Sequence, residues 1–212
     1  MAGPLTVSHQ EPHVHRDTVP LRRLEAFSDG VFAIAATLLI LDVAANQSPL
    51  SAELLRIWPS YVAYAVTFIS IGIAWINHNR VLSLIEATDT TFVMLNILLL
   101  TVIAFVPFPT RLIAAHLFDD DARAATLLYG ITIVIGASVL TTLWFYAASG
   151  GRLLKASADR HLVQGISRSY LPGPFIYLGA TLVAFASPML SAALFVLIAL
   201  FYLLESSLFA RR

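Results

Sequence analysis

The chain has 212 residues, 58% of them hydrophobic and 12% charged, with mean hydropathy +0.79 and a formal net charge of zero at pH 7. That is about half the usual charged share, too little to cover a water-soluble fold, so an all-α integral membrane protein is expected. Zero net charge gives no electrostatic case for nucleic-acid binding, and the absence of cysteine excludes disulfides, thiolate metal sites and thiol catalysis.

Residues 1–19 carry charges, prolines and His9, His13 and His15, but no apolar run. They are expected to form a disordered tail with no cleavable signal peptide. The three histidines are read as tail residues rather than metal ligands. The remainder, 20–212, is expected to be one six-helix membrane domain. Its spans are predicted at about 24–45, 57–79, 90–111 and 124–148, each near the ~20 residues that cross ~30 Å of hydrocarbon. The last apolar stretch, Ser169 to Leu204, has 36 residues without a charge. As one helix it would be ~54 Å long, nearly two bilayers. Ser187-Pro188 lies in its middle, and proline disfavours helix at the residue before it. Two spans at about 171–186 and 188–208 are therefore predicted. The basic segment 149–169 is expected to form a short amphipathic helix at the inner membrane surface.

Orientation follows from Lys and Arg. With six spans, one side holds Arg16, Arg22, Arg23, Arg80, Arg152, Lys155, Arg160, Arg168, Arg211 and Arg212, and the other holds Arg56, Arg111 and Arg123. That imbalance predicts both termini in the cytoplasm.

The first span joins a polar cluster, Ser28-Asp29-Gly30, directly to an apolar helix. Helix capping is one reading. The other is function, because an ionised group at the edge of hydrocarbon is costly and faces a partner or water. Two crossings bring the end of the second span, Trp75 to Arg80, to the same side, where His78 is a candidate partner for Ser28 or Asp29. Above Asp29, Ile34, Leu38 and Leu41 fall on one helical stripe with Thr37 beside them. Alone, such a stripe is a packing seam. Around a symmetry axis it would form stacked apolar rings that gate by dewetting. Asn96 in the third span needs hydrogen-bond partners and is read as helix packing. Pro107 and Pro109 are expected to kink or end that helix. There is no TVGYG-type filter, arginine ladder, phosphate loop, HExxH or GxSxG, so no enzyme is expected.

The stretch Arg23 to Asp42, with Phe27-Ser28-Asp29-Gly30 at its core, closely resembles the first helix of the transmembrane-protein-175 family, the prokaryotic relatives of the lysosomal potassium channel. The resemblance continues through Trp75, His78, Asn96 and Pro107-Phe108-Pro109-Thr110, covering roughly residues 22–112. It implies a homotetramer whose first helices line a central pore. It implies an apolar constriction at Ile34, further rings at Leu38 and Leu41, and a selectivity layer at Thr37. It also implies a polar network of Arg23, Ser28, Asp29, Trp75 and His78 at the helix ends. Two positions depart from the family pattern: Asn79 stands where a second histidine is common, and Ala36 where a larger aliphatic residue is. The expectation is a K⁺-permeable cation channel of a prokaryotic plasma membrane, without a carbonyl filter, a cofactor or any metal beyond permeating K⁺. The alternative is a proton-coupled secondary transporter using Asp29 and His78.

Overall fold

In hydrocarbon a backbone must satisfy its own polar groups, which leaves helix as the economical form for apolar runs of this length. The computed structural model describes residues 19–44, 47–151 and 153–209, and these are helical almost throughout. Apart from Val19, the expected disordered tail and its histidines lie outside the described residues.

The first helix, α1 (Leu21–Leu38), tightens into a 3₁₀ turn at Leu39–Asp42. A short helix that the sequence reading did not anticipate, α2 (Leu50–Arg56), leads into α3 (Trp58–Leu84). The expected third span is divided at Val106 into α4 (Thr90–Phe105) and α5 (Pro107–His116). The division falls where Pro107 and Pro109 withdraw two backbone donors. Then come α6 (Ala122–Ala148), α7 (Arg160–Tyr170), α8 (Gly173–Leu182) with a 3₁₀ turn to Phe185, and α9 (Pro188–Phe209). Four stretches are apolar and long enough to cross a membrane: Leu21–Leu41, Trp58–Leu84, Thr90–His116 and Ala122–Gly151. Pro188–Leu204 is apolar but shorter. The chain is thus a multi-pass helical membrane protein.

Local chemistry fixes several boundaries. Asp89 caps α4, accepting Phe92 N–H at 2.8 Å on one carboxylate oxygen and Tyr146 OH at 2.7 Å on the other. Ser187 Oγ accepts Leu190 N–H at 3.2 Å, and Pro188 occupies the first position of α9, so chain reversal falls at Ser187-Pro188. The third helix continues to Leu84 rather than stopping at Asn79, because Val81, Leu82 and Ile85 are buried in the core and the polar Asn77–Arg80 segment is only an interlude.

Two apolar cores organise the molecule. The larger gathers Leu24, Phe32 and Ala35 of α1, Ile71 and Val81 of α3, Phe92 and Leu99 of α4, and Leu143 and Trp144 of α6. The smaller joins Ile113, Ala125, Tyr129, Ala180 and Phe195 of α5, α6, α8 and α9. The approach of α6 to α8 depends on Gly130: a Cβ there would stand 2.5 Å from Thr181 Oγ1. Close approach through a small residue is a common way to join helices when lipid removes the hydrophobic drive. At the other end, Lys155 Nζ donates to Ser83 O at 2.7 Å, and Glu86 N–H donates to Leu153 O at 2.8 Å. The segment after α6 is thereby stitched to the α3–α4 link.

Candidate ion pathway along the first helix

The α1 helix carries two opposed stripes. Leu24, Ser28, Phe32, Ala35 and Leu39 recur at three- and four-residue intervals and are buried against α3 and α4. Phe27, Ile34, Thr37, Leu38 and Leu41 lie on the uncovered side, with Ile34 61% and Leu41 72% exposed. The Thr37 hydroxyl donates to Ile34 O at 3.0 Å.

At the amino-terminal end, the buried stripe is held by a directed hydrogen-bond chain. Ser28 Oγ donates to Leu24 O at 2.8 Å and accepts from Asn96 Nδ2 at 3.0 Å. Asn96 Oδ1 then faces His78 Nε2 at 2.7 Å. With the Asn96 amide nitrogen committed to Ser28, its oxygen must be the acceptor, so the proton of His78 sits on Nε2. Ser28, His78 and Asn96 are all fully buried, and His78 Nδ1 has no hydrogen-bond partner among the described residues. The His78 ring packs on Phe32, with centroids 5.4 Å apart. Beside this chain, Trp75 Nε1 donates to Asp29 Oδ1 at 2.8 Å.

Of the residues expected in the network, the structure joins Ser28, Asp29, Trp75 and His78 into one node between α1, α3 and α4. Two links differ from expectation. The hydrogen bond of His78 goes to Asn96, which relays it to Ser28, and Asp29 is taken by Trp75. The Arg23 side chain is exposed, and no hydrogen bond ties it to the node among the described residues. Asn96, expected to need hydrogen-bond partners within helix packing, finds them here, and its place in the network with Ser28 and His78 is what the sequence reading lacked.

A multi-pass helical bundle with an uncovered apolar stripe on its first helix and a buried polar node beneath it describes an integral membrane protein. Comparison with known proteins gives its family. The family described as endosomal/lysosomal potassium channel TMEM175 matches residues 23–107. A potassium channel of Chamaesiphon minutus is 43% identical over 191 residues, covering 87% of this chain and 94% of that one. A potassium channel of Streptomyces collinus is 39% identical, covering 85% and 90%. The crystal structure of a lysosomal potassium-selective channel TMEM175 homolog from Chamaesiphon minutus superposes with a TM-score of 0.81 at 41% identity, over 88% of this chain and 97% of that one. A variant of the potassium channel MtTMEM175, at 19% identity and a TM-score of 0.63, shares the fold. The chain belongs to the TMEM175 family, in its prokaryotic branch, and its named relatives are ion channels rather than enzymes.

Proposed function

We propose that the chain is one subunit of a homotetrameric, K⁺-permeable cation channel in a prokaryotic plasma membrane. In this reading six helices cross the bilayer, both termini are cytoplasmic, and the uncovered stripe of α1 surrounds the central axis. The observation that carries the reading is the opposition of the two α1 stripes. One is anchored inside the subunit by Ser28 and Asn96, and the other leaves Ile34, Leu38 and Leu41 free to face copies of themselves. Exposure alone would also suit a lipid-facing surface, and the 43% identity to a named potassium channel is what favours the axis.

A ring of Ile34 side chains supplies no oxygen to a cation, so a narrow ring excludes water and ions together. Conduction requires it to widen until a partly hydrated ion passes. Hydration then costs Na⁺ more than K⁺, giving modest selectivity. Thr37 contributes one turn further along. Its proton is spent on Ile34 O, so its oxygen lone pairs remain for a passing cation. A carrier built on Asp29 and His78 fits less well, since each group is already held by a partner, Trp75 and Asn96 respectively.

The test is Ile34→Asn in proteoliposomes. A ring of amides wets the constriction, so K⁺ flux should rise several-fold or K⁺/Na⁺ discrimination should fall. Flux and selectivity equal to those of the parent would remove Ile34 from the gate, and flux equal to empty liposomes for both proteins would remove the channel reading itself.

A further inference from the structure

Away from the first helix lies one side-chain cluster that the proposed pathway along α1 does not use. Helix α5 ends at His116, and the turn into α6 holds Asp119 and Asp121. His116 Nδ1 lies 2.8 Å from Asp119 Oδ2, and the donor atoms of His116, Asp119 and Asp121 all fall within 4.8 Å of one another. We propose that His116, Asp119 and Asp121 form a binding site for a divalent transition-metal ion of the zinc class at the α5–α6 corner.

The donor set argues for that class. One imidazole and two carboxylates are the mixed nitrogen and oxygen ligands that suit zinc and its neighbours, whereas calcium and magnesium take oxygen alone. Ligands ~2.0–2.2 Å from such an ion stand about 3.0–3.5 Å apart, close to the Nδ1–Oδ2 spacing now bridged by a proton. A metal therefore replaces that proton with a small adjustment of two exposed side chains. Asp119 Oδ1 accepts Asp121 N–H at 2.9 Å, which holds the turn and draws the Asp121 side chain towards the other two.

Two helix ends meet at this corner: the carboxyl-terminal end of α5 favours a cation, while the amino-terminal end of α6, which Asp121 precedes, opposes one, so the side chains set the sign. Asp120 adds a third carboxylate. Arg123, which lines the adjoining depression with Asp119 and Asp120, is the opposing charge. Three carboxylates against one guanidinium leave the corner net negative. Three protein ligands leave further coordination positions for water, as in open zinc sites.

The experiment uses the untagged full-length chain in detergent micelles, with His9, His13 and His15 changed to Gln so that the tail cannot compete. Co²⁺ is titrated by visible absorption, and Zn²⁺ is then added to displace it. The expected result is one saturable Co²⁺ per subunit, displaced by Zn²⁺. Dissociation constants should rise ~10-fold or more in His116→Gln and in Asp121→Asn, with Asp120→Asn close to the parent. Non-saturable binding, parent-like affinity in His116→Gln, or equal losses in Asp120→Asn and Asp121→Asn would each overturn the proposal. The readout needs no ion flux, so its failure is separate from failure of the channel reading.

Discussion

The His78–Asn96–Ser28 chain can be tested as an energetic unit. Asn96→Leu keeps the branching at Cγ, enlarges the side chain, and removes both of its hydrogen bonds. Ser28 keeps its bond to Leu24 O and loses little, but His78, fully buried, loses the partner of Nε2 while Nδ1 already has none. A stranded buried donor costs about 1–3 kcal/mol. Hydrogen bonds between membrane helices average ~0.6 and reach ~1.7 kcal/mol. Complete burial places this loss at the upper end, so Asn96→Leu should destabilise by about 1.5–2.5 kcal/mol. His78→Phe leaves Asn96 Oδ1 unpaired but preserves the ring contact with Phe32, and should cost about 1 kcal/mol. In the double variant, Leu and Phe meet as apolar neighbours and no polar group is stranded between them. The sum of the two single losses should then exceed the double loss by about 1–2 kcal/mol. Reversible unfolding in mixed detergent–SDS micelles measures all four corners of the cycle. Additivity within about 0.5 kcal/mol would refute the coupling and reduce the chain to two independent contacts.

Gly130→Ala should lower the thermal midpoint, because its Cβ meets Thr181 Oγ1 at 2.5 Å between two packed helices. The overpacking cost is about 1–3 kcal/mol, and Thr181→Ala in the same chain should recover most of it in a melting assay. At α2, Arg56 donates two hydrogen bonds to Glu53, at 2.7 and 3.0 Å, and these hold the Glu53 carboxyl below its ordinary value. A depressed folded-state pKa contributes stability in full above the unfolded value near 4.3, and that contribution disappears as pH falls through the folded value. Hydrogen exchange of the α2 amides should accordingly be slower, after correction for intrinsic rates, at pH 6 than at pH 3. Arg56→Leu should abolish the difference.

Much of this architecture was readable where one residue type forces one outcome. Pro188 compelled a reversal in an apolar run too long for one crossing, and α9 begins there. Pro107 and Pro109 marked the break between α4 and α5. Segment 149–169 was expected to hold an amphipathic helix, and α7 begins in it at Arg160 and ends one residue past it, at Tyr170. The misses share a cause. The seven-residue α2 is too short for periodicity to declare itself. Asn79 was taken as the end of α3 because polarity was read as proximity to water, whereas His78 is buried and Val81 and Leu82 continue the core. Asn96 was expected to find hydrogen-bond partners between packed helices, but the sequence did not say that those partners are Ser28 of α1 and His78 of α3. Tertiary partners, which no single segment contains, decide whether a polar residue in a span faces water or another helix.

Ser28 and Asp29 are neighbours in sequence, so their side chains leave α1 about 100° apart around its axis. One is tied through Asn96 to α4, and the other through Trp75 to α3. A cylinder pinned at two azimuths on one level resists rolling, and its leaning is opposed by the apolar contacts of Phe32, Ala35 and Leu39 above the pins. Ile34 lies six residues, roughly 9 Å, beyond that level, so a lean of about 10° displaces it by roughly 1.6 Å. Two facing copies would separate by roughly 3 Å, on the scale of one water molecule. In the proposed tetramer, dilation of an Ile34 ring would be the motion of a lever about a fixed fulcrum, with the largest travel at the end farthest from the pins.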